Sequence, residues 1–224
     1  MAGLFVTGTG TSVGKTLVSA TLLAAMRAAG EPVRAHKPVV TGLEDPPGEW
    51  PPDHVLLGAA AGMDPEQVAP LRFGPAVSPH LASALAGEPL ERETLVRNAH
   101  AAIADTGILV VEGVGGLLVP LTEDFSVRDL AVELALPVIV AAAPGLGTIN
   151  HTLLTIEAAR SVGLSVAAVV LTPWPAAPSE RERSNRETIA RLGDLEVAVL
   201  GKIPRAGIAG MASAGAQLPW DRWL

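Results

Sequence analysis

The chain is expected to fold as an α/β protein, with a parallel β-sheet flanked by helices on both faces in a single domain spanning residues 1–224. Three features of the sequence point there. Short β-branched runs alternate with longer segments of helical spacing, several of those runs are apolar on both faces, and the first opens through a glycine-rich turn onto a long alanine- and leucine-rich helix.

LFVT at 4–7 has the β-branched, apolar character of a buried strand, and KTLVSATLLAAMRAAG carries leucine and alanine at helical spacing up to Gly30, so a helix is expected over 14–29. PVRAHK at 32–37 is the second strand. The next stretch, GLEDPPGEWPP at 42–52, holds four prolines and reads as a loop with the character of a mobile one. Helices follow over 53–62 and 91–105, then the strand ILVVEG at 108–113. After a helix at 126–135 come the strand PVIVAAA at 137–143, a helix at 148–162, the strand SVAAVVLT at 165–172, a helix at 179–192 and the strand VAVLGKI at 197–203. The small-residue segment RAGIAGMASAGAQLPWDRWL ends in two tryptophans expected to pack back onto the body.

Composition narrows the chemistry. A chain of 224 residues with 49% hydrophobic content buries a full core as one domain. A formal charge of −7 and the absence of Lys/Arg clusters argue against a nucleic-acid surface. The absence of cysteine excludes disulfides, thiolate metal sites and thiol nucleophiles. No basic region precedes the first apolar run, and Pro, Gly or Glu interrupts the longer ones, so a cytoplasmic protein with no membrane partner is expected.

GTGTSVGKT raises a specific problem. The phosphate-binding pattern G-x-x-x-x-G-K-[ST] needs glycine five positions before Gly14, and that position is Thr9. The context still fits: strand, glycine turn and helix occur in the order a phosphate site needs. The backbone N–H groups and helix start attract phosphate, Lys15 reaches the outer phosphates, and the Thr16 hydroxyl is placed for Mg²⁺. This makes the fold P-loop NTPase-like. HKPVVTG at 36–42 ends the second strand, putting Lys37 at the edge where open α/β sheets bind ligands, with Thr41 four residues on.

VVEGVGGLLVPL at 110–121 places Glu112 at the same edge, where a buried carboxylate needs a cation, and Mg²⁺ supplies one. Asp53, at a helix start, reads either as a cap or as a metal ligand. PGLGTINHTLLTIEAAR at 144–160 leads a strand into a helix whose free N–H groups suit a carboxylate, with Thr148 and Asn150 in its first turn. His151 is expected to hydrogen-bond locally, since no acid or nucleophile accompanies it.

Taken together, GTGTSVGKT, HKPVVTG, VEGVGGLLVPL and GLGTINHTLLT resemble the dethiobiotin synthetases in order and separation over roughly residues 3 to 204. That family is similar in having a P-loop of the longer GTxTxxGKT form, which accounts for Thr9. The resemblance implies an ATP- and Mg²⁺-dependent ligase acting in biotin synthesis. It would close the ureido ring of dethiobiotin from 7,8-diaminopelargonic acid and CO₂, with ATP or another nucleoside triphosphate as co-substrate.

It further implies nucleotide contacts at Thr11, Ser12, Val13, Gly14, Lys15, Thr16, Leu17, Asp53, Glu112, Gly113, Val114, Gly115, Thr172, Pro173, Pro204, Arg205 and Ala206. Mg²⁺ would be organised by Thr16, Asp53 and Glu112, and catalysis carried by Lys37 and Lys15. The diamine would meet Thr11, Lys37, Thr41, Val114 and Gly115. Its distal carboxylate would be gripped by Gly145, Leu146, Gly147, Thr148 and Asn150 of the partner subunit in a homodimer.

One departure stands out: many members have asparagine where this chain has Thr172-Pro173-Trp174, and a hydroxyl lacks the paired donor and acceptor that read an adenine edge. Tolerance of several nucleoside triphosphates is therefore expected. Another P-loop amide-forming or partitioning ATPase is the alternative, but those would need a cysteine nucleophile or a basic amphipathic tail.

Overall fold

The computed structural model describes residues 2–46, 48–103, 107–203 and 207–224. Its strands are β1 (Ala2–Gly8), β2 (Val33–His36), β3 (Ile108–Glu112), β4 (Val138–Ala142), β5 (Val166–Trp174) and β6 (Glu196–Gly201). Within the described residues they form one parallel sheet in the order β2-β3-β1-β4-β5-β6. Each coincides with an expected strand to within two residues. The helices are α1 (Lys15–Ala28), α2 (Asp53–Ala61), α3 (Pro65–Val68), α4 (Pro79–Ala86), α5 (Arg92–Ala102), α6 (Val127–Leu134), α7 (Thr148–Arg160), α8 (Glu180–Gly193) and α9 (Gly207–Gly215).

Alternation along the strands divides the core into two layers. Leu4, Val6, Val110, Ile139, Ala141 and Val170 pack with Leu22, Leu23 and Met26 of α1 and with Leu57 of α2. Phe5, Leu109, Val111, Val138, Val140 and Leu171 pack on the opposite face with Leu95 of α5, Leu130 of α6, Ile156 of α7 and Ile189 of α8. Both faces are thus covered, which is why the strands are apolar throughout rather than alternating.

The sequence reading assigned no element to 63–90 or to the C-terminal segment, where α3, α4 and α9 form. For α9 the reason is physical. It packs along α1 so closely that a Cβ on Gly215 would lie 2.4 Å from the Thr21 carbonyl oxygen. Small residues make that contact but leave no apolar periodicity to read. Trp223 follows, buried in the α1-side core, and its indole N–H donates to Glu196 at 3.3 Å.

Candidate active site at the carboxyl ends of β1, β2 and β3

The carboxyl end of β1 leads into residues 9–14, which wrap around the start of α1. Gly14 caps that helix with φ +93°, a conformation that L side chains rarely adopt, and a Cβ there would sit 2.5 Å from Thr172 Cγ2 of β5. Lys15 and Thr16 are the first two residues of α1. The Lys15 ammonium donates to the Gly10 carbonyl at 2.8 Å, so the lysine folds over its own loop.

Asp53 is the first residue of α2, capped by Pro52, and its carboxylate turns inward instead of capping the helix. The reading of Asp53 as a helix cap is thereby set aside. Thr16 Oγ1 lies 2.8 Å from Asp53 Oδ1 and 2.9 Å from Glu112 Oε1. Lys37 Nζ lies 2.5 Å from Glu112 Oε1, 2.8 Å from Asp53 Oδ2 and 3.3 Å from the Gly113 carbonyl. Four side chains, one from each of α1, the β2 end, α2 and β3, meet at one point.

Electrostatics follow from burial. Lys37 is nearly enclosed; burial alone would lower its pKa, but the Glu112 and Asp53 carboxylates outweigh that and hold it well above the ordinary lysine value. Burial would raise Asp53, yet Lys37 and the hydrogen bonds from Lys37 and Thr16 hold it below the usual carboxylate range. Glu112, fully buried, is pushed upward by loss of solvent, with Lys37 offsetting part of the effect. Lys15 is lowered to about 8, first by burial and then by the Lys37 charge.

A cleft of about 650 Å³ opens above this cluster, lined by Thr11, Ser12, Gly14, Lys15, Thr16, Leu17, Lys37, Thr41, Asp53, Val114 and Gly115 among others. Expected residues from three distant parts of the chain therefore share one cavity. Glu112 and Gly113 lie just beneath it, through their contacts to Lys37. Sequence reasoning missed Asp45, Trp50, Ala76, Val77, Ser78 and Pro79, which complete the walls. The Ser78-Pro79 pair is a legible helix start, with serine at the cap and proline at the first helical position; Asp45 and Trp50 carry no such signal.

Other expected residues lie elsewhere. Thr172 is buried beneath Gly14, its hydroxyl without a hydrogen-bond partner, and a cis bond links it to Pro173. The turn from Gly145 to Asn150 is outside the cleft of its own chain: Leu146 is 91% exposed, Gly147 caps α7, and the Pro144 and Gly145 carbonyls accept from Asn185 at 3.1 and 3.2 Å. His151 is exposed on α7, and its ring makes no hydrogen bond among the described residues, contrary to the local bonding expected of it. Pro204, Arg205 and Ala206 lie outside the described residues.

The donor set suits a hard divalent cation: two carboxylates and a hydroxyl within hydrogen-bond reach, with Glu112 Oε2 buried and unpartnered.

A family model described as an AAA domain matches residues 2–209. The chain is similar to proteins named ATP-dependent dethiobiotin synthetase BioD from three organisms. The match to that of Mycobacterium sp. (strain JLS) is 42% identical over 89% of this chain and 87% of the relative. That of Anaeromyxobacter sp. (strain Fw109-5) is 42% identical over 94% and 98%, and that of Bacillus thuringiensis (strain Al Hakam) 38% identical over 91% and 84%. Among solved structures, the cell division ATPase MinD of Pyrococcus furiosus superposes with a TM-score of 0.56 over 96% of each chain at 16% identity, a likeness of fold in the P-loop NTPase manner.

Proposed function

Because the chain belongs to the family of ATP-dependent dethiobiotin synthetases, a ligase of biotin synthesis, we propose that the cleft at the ends of β1, β2 and β3 is where ATP, CO₂ and the diamine react. The observation that carries this reading is the convergence of Lys15 and Lys37 on one cavity. Three of the reacting species are anionic at some stage, and two anions approach only where positive charge is already in place.

The reaction sequence accords with that need. One substrate amine adds to CO₂ and loses a proton, giving a carbamate. A carbamate oxygen attacks the γ-phosphate and expels ADP, leaving a mixed carbamic-phosphoric anhydride. The second amine attacks the carbamoyl carbon, phosphate leaves, the amine's proton is lost and the ring closes. No step calls for a protein nucleophile, in keeping with a chain that has no cysteine.

Within this scheme the residues have distinct tasks. Lys15 leaves the Gly10 carbonyl to hold the β- and γ-phosphates, with the backbone N–H groups of residues 11–17 cradling them. Lys37 stands between carbamate and γ-phosphate, its charge kept by Glu112 and Asp53. Thr16, Asp53 and Glu112 would hold Mg²⁺, which when bound neutralises phosphate charge. Thr11, Thr41, Val114 and Gly115 border the diamine.

The enzyme works as a homodimer in the cytoplasm. Leu118 and Leu154 are exposed around a groove that also includes Thr11 and His151, Leu146 is exposed in the turn before α7, and that Gly145–Asn150 turn, unused by its own cleft, reaches the carboxylate of a diamine in the partner's. With the Thr172 hydroxyl buried and its side chain against Gly14, nothing from that residue reads a base, which favours use of several nucleoside triphosphates. A strong preference for ATP over CTP and GTP in competition would refute that use.

The main test is Lys37→Ala. Nucleotide binding should be largely kept while dethiobiotin formation falls by about two orders of magnitude or more, as loss of a transition-state cation implies. Turnover close to that of the unmodified enzyme would remove Lys37 from the chemistry.

A further inference from the structure

We infer that Asp45 is a substrate-recognition residue: its carboxylate pairs with the amine of the diamine that is not converted to the carbamate. The inference rests on the reading of the cleft as the site of diamine carboxylation, and it concerns a residue that none of the sequence motifs contains.

The cleft presents two ammonium groups, Lys15 and Lys37, which attract carbamate and phosphates but repel a protonated amine. The substrate brings such a group, since an alkyl amine in water is cationic near neutral pH, as the lysine side chain is. Something in the cleft must offset that repulsion. Of the carboxylates at hand, Asp53 is engaged by Lys37 and Thr16 through both oxygens, and Glu112 by the same two residues. Asp45, an exposed residue, also lines the cleft, alongside Lys37, Thr41 and Gly42, and its carboxylate makes no hydrogen bond or ion pair among the described residues.

Its position is fixed by the backbone. The proline-rich loop was expected to be mobile, yet its first half is tied down. Gly42 N–H donates to the Pro75 carbonyl at 3.0 Å, Leu43 to Phe73 at 3.4 Å, Glu44 to Gly74 at 3.0 Å, and Asp45 to Gly42 at 3.3 Å. The Glu44 side chain lies where a Cβ on Gly74 would sit, so it is directed away from a role in the cleft. A free carboxylate on a backbone held by four hydrogen bonds can receive an ammonium without ordering a loop first.

The test measures equilibrium binding in CO₂-free buffer, where both amines are ammonium, alongside turnover. Asp45→Asn is compared with the unmodified enzyme for the diamine and for two monoamino acids of equal length, each lacking one of the two amines. The expected result is about tenfold weaker binding of the diamine, the size of one charge-assisted contact in a solvated cleft. The same loss should appear for one monoamino acid and be absent for the other, which identifies the amine that Asp45 holds.

KM for ATP should stay unchanged, which also reports an intact fold, and Asp45→Glu should keep most of the affinity. Equal losses for all three ligands, or none for any, would overturn the inference. Failure of the unmodified enzyme to make dethiobiotin would instead refute the reading of the cleft beneath it.

Discussion

The floor of the cleft and the outer side of α7 are opposites. At the floor, charged groups are buried: Glu112 is fully enclosed and matched by Lys37 and Thr16, and Lys37, nearly as enclosed, is matched by Glu112 and Asp53. On the outer side apolar groups are exposed, with Leu118 at 58%, Leu146 at 91% and Leu154 at 55%, left largely uncovered by the described residues. A buried charge must find its partner within the fold, whereas an exposed apolar surface is completed from outside it. The contrast separates charge that this chain matches within itself from an apolar surface that it leaves open.

If the floor is self-contained, removing one partner should be costly in a way that removing two is not. Lys37→Met strands Glu112 without its cation, and unfolding of the nucleotide-free protein by urea should report a loss of about 3–5 kcal/mol. The double variant Lys37→Met/Glu112→Gln, with the enclosed Lys37–Glu112 charge pair removed, should recover most of it. A single-variant loss below about 1 kcal/mol, typical of a solvated ion pair, would mean that the two groups are not truly sequestered.

A smaller effect should appear on acidification. His36, next to Lys37 on β2, is 1% exposed with Nε2 unpartnered, and burial lowers its pKa from 6.5 to about 4. Between those values the unfolded chain binds more protons than the folded one, so stability rises with pH and falls as pH drops from 6.5 to 4. The full difference is about 3 kcal/mol, and His36→Leu should flatten the stability profile by about that amount across this window. Identical profiles for the two proteins would show that the imidazole is protonated in place. The depressed Asp53 carboxyl acts in the same direction, but it is common to both proteins and cancels in the comparison.

The two regions also differed in how far sequence revealed them. The strands were legible because buried parallel strands are apolar on both faces, and the floor residues because each ends a strand or starts a helix beside a glycine: Lys15 and Thr16 after Gly14, Glu112 before Gly113, Lys37 at the end of β2. Asp45 and Trp50 were hidden because a proline-rich loop has no period, and the place of Asp45 depends on hydrogen bonds from residues 42–44 to residues 73–75. The helix α4 was hidden by brevity and by the prolines and glycines around it. Leu154 carries no signal in the sequence, and only the fold shows that it lies exposed.

The outer face supplies the mildest perturbation. Leu154→Glu changes an exposed residue, so the single chain should keep its stability to within about 0.5 kcal/mol, and KM for ATP should not move because the cleft floor belongs to one chain. If a second copy covers this face, the same change buries a carboxylate without a partner, and the mass in solution should fall toward that of one chain. Loss of the neighbouring copy's Gly145–Asn150 turn should then raise KM for the diamine about tenfold, equivalent to about 1.4 kcal/mol, while leaving nucleotide affinity alone. A change in ATP affinity as large as that for the diamine would mean that the floor is not independent of the outer face. An unchanged mass together with an unchanged diamine KM would mean that the exposed leucines are not where two copies meet.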